Sequence, residues 1–382
     1  MRRIFLSLLA LCACGGSGAT AGTGGAPGTS STTSSASASS TSSSASTGGA
    51  GGATTSTSTT ASSSSTSGGF DPAHAPSTLG AFTTEGSTGC DLAGAATGVQ
   101  TVSATVDGSM RTATVFVPPD YDAQKAYPVV FVFHGDGGTG SGIRSALNLE
   151  PDAAGKAIFA YPDGAQKTWD DAVTGTNHDM NWVMALRDSL RASHCIDTKR
   201  TFATGMSRGG FFVNQLACRY GAAELAAIAP HSSTIDPGSD GAYIYGPPKA
   251  QGGPFMEDGN WDFACPSDGS PPPSDRPRLP PPALVIHGIC DTEGGVEYAQ
   301  GRRVAEHWGF AAKCSTTPAV AVATSPACSG QPTNDPPLSV DPCYVAPGCT
   351  AAHEISFCAI PNMGHQVWAD AHTRIWSFFA AH

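Results

Sequence analysis

The chain has 382 residues, with 20 Lys and Arg against 31 Asp and Glu, so its formal net charge is −11. An acidic surface is poorly suited to bind nucleic acid or another polyanion, so we predict no nucleic-acid partner. The charge favours neutral small molecules or uncharged polymers as substrates.

The N-terminus is typical of an exported lipoprotein. Residues 1–13 begin with a basic pair and continue with an apolar run that is too short to span a bilayer. Cys14 follows Leu-Cys-Ala, which resembles a bacterial lipobox and predicts lipidation of Cys14; the alternative is an ordinary signal peptide. After Cys14, residues 15–69 contain Gly, Ala, Ser, Thr and one proline, so 14–69 is predicted to be a disordered tether. The chain is therefore expected in the cell envelope or secreted, with a membrane contact through the lipid anchor alone.

Residues 70–382 are predicted to form one catalytic domain of alternating strands and helices. Strands are predicted at 99–106, 112–117, 129–133, 157–161, 201–204, 225–229, 283–287 and 354–359. Helices are predicted at 181–191, 211–220, 296–308 and 371–379. Asp107-Gly108 between the first two strands indicates a hairpin. The pattern predicts an α/β fold: a mostly parallel sheet, helices on both faces, and the hairpin at an antiparallel N-terminal edge.

Two segments of this domain lack regular periodicity. Residues 236–282 are rich in Gly and Pro and are predicted to be an irregular insertion over one end of the sheet, where a lid or substrate wall would lie. Residues 314–358 hold five of the ten cysteines that the domain contains. An even number in an exported chain implies up to five disulfides, whose pairing the sequence leaves open. None has C-x-x-C spacing, so we predict no zinc ribbon and no other metal site.

A candidate nucleophile lies between a predicted strand and a predicted helix. Gly205, Ser207 and Gly209 form G-x-S-x-G in a strand–turn–helix context, which is the pattern of a nucleophile elbow. The turn is sharp, so its flanking residues must be small, and the serine hydroxyl projects above the sheet edge. The backbone N–H of Arg208 would then face the carbonyl oxygen of a substrate.

A serine hydroxyl is a poor nucleophile without a base and an acid that orients the base. In a sheet of this kind the chain order is serine, acid, histidine. Asp291 follows the strand at 283–287 and His365 follows the strand at 354–359, and catalytic groups collect at such carboxyl ends. We predict that Asp291 orients His365, which takes the proton of Ser207. The other candidates are Asp236, Asp240, Asp258 and Asp262 for the acid, and His353, His372 and His382 for the base.

The loop after the strand at 129–133 fits two kinds of site. Gly135, Gly137 and Gly140 spell G-x-G-x-x-G, the fingerprint of a dinucleotide site, and Asp163 lies where a ribose-binding acid would follow. The same residues also fit an H-G-x-G-G-type loop, whose backbone amide completes an oxyanion hole in a hydrolase.

Three observations favour the oxyanion loop. An exported protein has no reliable supply of nicotinamide or flavin, and the preceding His134-Gly135 has no role in dinucleotide binding. The motif at Ser207 has catalytic partners, whereas the glycine loop has none. We therefore predict an oxyanion hole formed by the N–H groups of Asp136 and Arg208, and no cofactor.

With these residues placed, residues 89–382 resemble the polyhydroxybutyrate depolymerase and feruloyl esterase group of α/β-hydrolases, related to carbohydrate esterase family one. The likeness rests on His134-Gly135-Asp136-Gly137-Gly138, Tyr161-Pro162-Asp163-Gly164, Asp179-Met180-Asn181-Trp182-Val183, Cys195-Ile196-Asp197, Phe202-Ala203-Thr204-Gly205-Met206-Ser207, Leu216-Ala217-Cys218, His287-Gly288 with Asp291, and Gly364-His365 with Trp368. It implies an α/β-hydrolase fold and a secreted serine carboxylesterase with the triad Ser207, Asp291 and His365. Substrates in relatives include polyhydroxyalkanoates and feruloyl or acetyl esters on plant xylan.

The chain departs from this group at two places. Asp136 puts an acid where relatives usually carry a neutral residue, and its charge would oppose an oxyanion unless the side chain points away. The insertion at 236–282 and the cysteine-rich stretch before His365 match poorly, so the substrate does not transfer from the resemblance. The resemblance also implies that Cys195 and Cys218 pair.

Aromatic side chains near the predicted site are candidates for a polymer-binding or feruloyl-binding surface. These are Trp169, Trp261 and Trp368. Trp169 also fits a core position, and the tryptophans at helical spacing are predicted to be core residues.

Two other functions fit parts of the pattern. A prolyl-oligopeptidase-type peptidase shares the order of the triad and a G-x-S-x-G-G turn, but usually has a large preceding propeller, for which the region before Val99 is too short. A non-catalytic module displayed on the tether would need a degenerate site, against which the intact triad argues. The sequence does not indicate an oligomeric state.

Overall fold

The computed structural model describes residues 86–170, 176–235, 280–312, 314, 328 and 341–382. Several predictions fall outside the described residues and stay predictions. These are the export signal, lipidation of Cys14, the tether, Trp261, the alternative acids Asp236, Asp240, Asp258 and Asp262, and nearly all of the insertion.

A nine-stranded sheet forms the centre of the described domain. Its strands are β1 (Gly98–Val106), β2 (Ser109–Val117), β3 (Tyr127–Phe133), β4 (Ile158–Pro162), β5 (Ile196–Met206), β6 (Ala227–His231), β7 (Ala283–Gly288), β8 (Cys343–Val345) and β9 (Ile355–Ile360). They lie in the order β1-β2-β4-β3-β5-β6-β7-β9-β8. Neighbouring strands from β4 to β9 in this order are parallel, while β1, β2 and β8 pair antiparallel. The predicted parallel sheet with an antiparallel N-terminal edge is confirmed.

Helices cover both faces of the sheet, as predicted. They are α1 (Gly140–Ala146), α2 (Glu150–Ala153), α3 (His178–Ser193), α4 (Arg208–Tyr220), α5 (Tyr298–Ala311) and α6 (Ala371–Ala381). Successive residues of β3 point to opposite faces: Phe131 and Phe133 pack with α3, α4 and α5, whereas Val130 and Val132 pack with α1, α2 and α6. Within the part of the chain that the structure describes, no helix is long and apolar enough to cross a bilayer.

Two local features explain where the predicted and observed strands agree and differ. Asp107 and Gly108 both have positive φ, 50° and 77°, so the predicted hairpin turn is confirmed. Strand β5 begins at Ile196, five residues before the predicted start. The prediction began too late because Lys199 and Arg200 interrupt the apolar pattern of the strand. Asp197 accepts the Lys199 backbone N–H and pairs with the Arg200 guanidinium, which compensates the charge of Arg200 at that point.

The described disulfides overturn one prediction. Cys195 bonds to Cys90, so the pairing of Cys195 with Cys218 is wrong; Cys218 is itself in a disulfide. The reason lies in the chain before β1, where the Ser87 N–H donates to the Ile196 carbonyl and brings Cys90 to the start of β5. The other described bridges are Cys290–Cys328, Cys314–Cys349 and Cys343–Cys358. Such a density of disulfides is typical of exported proteins.

Candidate active site

Ser207 occupies a strained turn between β5 and α4. Its backbone has φ 59° and ψ −123°, a conformation that a residue with a side chain adopts only when its surroundings enforce it. A Cβ on Gly205 would lie 2.7 Å from the Gly209 carbonyl, and one on Gly209 would lie 2.3 Å from the Phe133 carbonyl. The small residues of G-x-S-x-G are therefore required, and the turn is a nucleophile elbow in its geometry.

Three side chains from distant segments meet at this elbow. The Ser207 Oγ lies 2.8 Å from His365 Nε2. The His365 Nδ1 lies 2.8 Å from Asp291 Oδ2. A carboxylate only accepts, so Nδ1 carries the hydrogen, and Nε2 is left to accept the serine proton. The structure thus brings the three sequence-predicted residues into one hydrogen-bonded chain.

Asp291 is buried, yet its environment keeps it ionised. Burial alone would raise the pKa of this carboxyl, but hydrogen bonds from His287 and His365 outweigh burial and lower the pKa to about 2. The Oδ1 atom accepts the Glu293 N–H at 3.1 Å, so both oxygens have donors. A carboxylate that is charged at every physiological pH can hold one tautomer of the histidine.

The loops that carry Asp291 and His365 are joined to each other. The Cys290 N–H donates to the Met363 carbonyl at 2.9 Å, directly beside both catalytic candidates. Gly288 allows this approach, because a Cβ there would lie 2.3 Å from the Met363 carbonyl. The Cys290–Cys328 disulfide ties the same loop to a further part of the chain.

The alternative bases have other partners. His353 Nδ1 contacts the Pro280 carbonyl, His372 pairs with Asp152, and His382 packs on Phe378. Among the described histidines, His365 is therefore the one bonded to Ser207.

The glycine loop lies directly beside the elbow. A Cβ on Gly135 would lie 3.3 Å from the Cβ of Ser207, so the backbone of this loop borders the nucleophile. The exposed Asp136 turns its carboxylate to the hydroxyl of Thr168, from which it accepts a hydrogen bond. The Asp136 side chain is therefore hydrogen-bonded to Thr168. This contact answers the concern that the charge of Asp136 would oppose an oxyanion at this loop.

The segment that follows β4 holds the glycine loop in place through hydrogen bonds. The Trp169 Nε1–H donates to the His134 carbonyl at 2.7 Å, and the Gly137 N–H donates to the Lys167 carbonyl at 2.8 Å. The Gly164 N–H donates to His134 Nε2 at 3.0 Å. A loop held at several points is suited to present backbone donors without rearrangement.

Asp163, which the dinucleotide interpretation assigned to a ribose, has a structural role. Its Oδ1 accepts the Gly140 N–H at 2.7 Å and its Oδ2 accepts the Thr112 hydroxyl at 2.7 Å. The carboxylate thus accepts the hydrogen bond of a backbone N–H at the start of α1, and a bound pyrophosphate would need that same N–H as a donor. In the described residues, no group of three or more His, Cys, Asp or Glu side chains is placed to hold a metal ion.

Two of the predicted substrate-binding tryptophans are core residues instead. Trp169 is 1% exposed, stacks on Phe212 and donates to the His134 carbonyl. Trp368 is 2% exposed and packs in the core between the sheet and α6. Both are too deeply buried to offer an aromatic surface to a polymer, so that prediction is wrong for these two residues.

Sequence reasoning missed the role of His231, which ends β6. Its carbonyl accepts the Ser207 N–H at 2.9 Å, and its Nε2 accepts the Trp368 N–H at 3.0 Å. The backbone and the side chain of this one residue therefore connect the elbow to the loop that carries His365. From the sequence, a histidine that ends an apolar strand is interpreted as a core residue. Its position at the end of β6 was the one feature that could have indicated a role in the site.

Buried histidines give the domain a testable dependence on pH. Burial lowers the pKa of His231 and of His307 to about 3, well below the ordinary value near 6.5. Below pH 6.5 the unfolded chain binds protons that the folded chain does not, so stability falls as pH falls towards 3. We expect urea unfolding at pH 5 to show a loss of roughly 2 kcal/mol per buried histidine relative to pH 6.5.

The carboxylate of Asp291 does not contribute in this range, because its stabilisation is lost only below about pH 4. His307→Gln should weaken the pH dependence of the free energy of unfolding. A free energy of unfolding that is the same at pH 6.5 and pH 5 would contradict this assignment.

No family model matches the chain. It is 34% identical to a probable feruloyl esterase C of Aspergillus niger over 138 residues, 34% of this chain and 49% of that protein. It is 33% identical to feruloyl esterase C of Emericella nidulans over 132 residues, 33% of this chain and 47% of that protein. The chain thus spans about half the length of the curated relatives it matches.

A solved structure gives the fold. The acetyl xylan esterase from Aspergillus awamori superposes with a TM-score of 0.51 at 15% identity, over 74% of this chain and 99% of that one. The α/β-hydrolase fold and the resemblance to the feruloyl esterase group are both confirmed.

Proposed function

We propose that this chain is an exported serine carboxylesterase that acts on feruloyl or acetyl esters of plant polysaccharide. The observation that carries the proposal is the hydrogen-bonded chain from Ser207 through His365 to Asp291 at a strained elbow. Such an arrangement activates a serine for attack on a carbonyl carbon.

Each step of ester hydrolysis has a group to perform it. His365 Nε2 takes the proton as Ser207 Oγ attacks the ester carbonyl, and Asp291 stabilises the imidazolium that forms. The N–H groups of Arg208 and Asp136 stabilise the oxyanion. His365 returns the proton to the leaving alcohol, and the acyl-enzyme forms. Water activated by His365 then releases the acid and restores the serine.

The substrate class rests on similarity and charge. The relatives named above are feruloyl esterases, and the acidic composition favours esters on uncharged polymers over anionic substrates. Polyhydroxyalkanoate is the alternative polymer that the sequence resemblance suggests. Residues 1–69 would serve as export signal, lipid anchor at Cys14 and tether, so that the catalytic domain works on a polymer outside the cell.

Covalent labelling and a substrate panel test the proposal together. We expect a fluorophosphonate probe to label the chain at Ser207, located by peptide mass spectrometry. Hydrolysis of methyl ferulate and acetylated xylan should exceed that of polyhydroxybutyrate film and of dipeptidyl amides. Preferred cleavage of the amides would instead support a peptidase, and absence of both labelling and hydrolysis would support a non-catalytic module.

A further inference from the structure

A second histidine shares the carboxylate of the proposed triad. His287 lies at the end of β7 with its side chain wholly buried, and its Nε2 lies 3.2 Å from Asp291 Oδ2. This is the same oxygen that accepts the His365 Nδ1–H. Two imidazoles therefore converge on one carboxylate oxygen, and only His365 reaches the serine.

The contacts of His287 fix which nitrogen carries its hydrogen. Its Nε2 also lies 2.8 Å from the Val296 carbonyl. Both neighbours are acceptors, so Nε2 must be the donor. Asp291 and Val296 stand at the two ends of one loop, and the Tyr298 N–H closes it by donating to the Asp291 carbonyl at 3.1 Å. A single N–H group thus spans the loop that presents the carboxylate.

The surroundings leave His287 little freedom to move. A Cβ on Gly301 of α5 would lie 2.3 Å from the imidazole. The imidazole of His287 therefore packs directly against the backbone of this glycine. The hydrogen bond from His287 is also a principal cause of the lowered pKa of Asp291, after the opposing effect of burial. The ring is therefore a fixed donor whose single N–H is shared between the Val296 carbonyl at 2.8 Å and the Asp291 carboxylate at 3.2 Å.

We propose that His287 is a positioning residue that holds the Asp291 carboxylate against His365. The inference rests on the proposed function, because it assigns a role within the same reaction. None of the described contacts of His287 involves Ser207, so its loss should lower kcat and leave KM nearly unchanged.

Substitutions at residue 287 distinguish the hydrogen bond that His287 donates from the space that its side chain fills. Gln places its amide nitrogen near the position of His Nε2, with hydrogens for both acceptors, whereas Asn places it near Nδ1 and cannot reach them. We expect His287→Leu and His287→Asn to lower kcat for p-nitrophenyl acetate about 10- to 100-fold, the cost of a misplaced catalytic group. His287→Gln should recover most of that loss.

A double-mutant cycle with Asp291→Asn distinguishes positioning from a general structural effect. If His287 acts through Asp291, His287→Leu should cost no more than about 3-fold further when Asp291 is already Asn. Rates are taken per folded enzyme, from circular dichroism of each variant. Should the Leu variant fail to fold, the Gln and Asn pair in both backgrounds carries the same comparison.

The outcomes separate this inference from the proposed function. Ser207-dependent hydrolysis by the wild-type chain, combined with an unchanged kcat in His287→Asn, would overturn the role of His287 alone. An additive loss in the double mutant would do the same. A wild-type chain inactive on every ester would overturn both proposals.

Discussion

Ser207→Ala is expected to lower kcat/KM for p-nitrophenyl acetate by about 10⁵- to 10⁶-fold, the loss seen when a serine nucleophile is removed from such a triad. The substitution deletes the attacking oxygen, so no acyl-enzyme can form, and what remains comes from the oxyanion hole and substrate binding. Hydrolysis would be followed by release of nitrophenolate and compared with the rate without enzyme.

The fold should survive this change. The Ser207 side chain is bonded to His365, and the backbone hydrogen bond from Ser207 to the His231 carbonyl does not involve the hydroxyl. Thermal unfolding should therefore stay close to that of the wild-type chain. Ser145→Ala provides the matched control, because Ser145 is an exposed serine on α1 whose hydroxyl bonds the Ser141 carbonyl. Comparable activity in both variants would remove Ser207 from the mechanism.

The sequence was sufficient to place the three residues of the proposed triad. Each follows a buried strand, and parallel strands bring their carboxyl ends to one edge of a sheet. The chain order and the glycines around Ser207 added the rest. The chain order and the glycine motif are local features of the sequence. The apolar periodicity predicted the parallel strands, and the parallel strands predicted that the three residues lie close together.

Features that depend on distant packing were beyond the sequence. The Cys90–Cys195 bridge follows from a backbone contact between Ser87 and Ile196, which no spacing of cysteines reveals. Trp169 could be read as core or surface, because burial of an aromatic side chain in a loop depends on what lies above it. Strand β8 has only three residues and pairs with β9 within a segment that lacks periodicity.

His231 and His287 show the same limit within the site. His231 ends an apolar strand, where a histidine has no distinguishing pattern, and His287 was noted only as part of a motif with Gly288 and Asp291. Their roles emerge only when the ends of β6 and β7 are seen beside the loops of Ser207 and Asp291. The site therefore contains more positioning groups than motifs alone predict.

Asp291→Asn is expected to lower kcat by about 10³- to 10⁴-fold, with little change in KM, because the base loses the tautomer that accepts a proton. Oδ2 receives hydrogens from His365 and His287, and Oδ1 receives one from Glu293. An amide has one acceptor oxygen and one donor nitrogen, so either orientation sets its NH₂ group against an existing donor.

The orientation that spares Glu293 does most harm to catalysis. With the amide nitrogen at the Oδ2 position, His365 must move its hydrogen to Nε2, where it faces the Ser207 hydroxyl and cannot accept its proton. The other orientation keeps the tautomer but removes the negative charge that stabilises the imidazolium. Both lower the rate of attack and neither changes the substrate pocket, which is why kcat falls and KM does not.

Measurement of kcat and KM from pH 6 to 9 checks this account. The exposed Asp120, three residues after β2, offers the control Asp120→Asn. Because β2 runs antiparallel to β4, its end lies at the edge of the sheet opposite the carboxyl ends of the parallel strands, so both constants should stay unchanged. An Asp291→Asn chain that retains more than about a tenth of the wild-type kcat would show that the carboxylate does not orient the base. Since an amide also cannot satisfy the three donors now aimed at Asp291, the variant should unfold at a lower temperature. The drop should be greatest above about pH 4, where the stabilisation that comes with the lowered pKa of Asp291 is fully present.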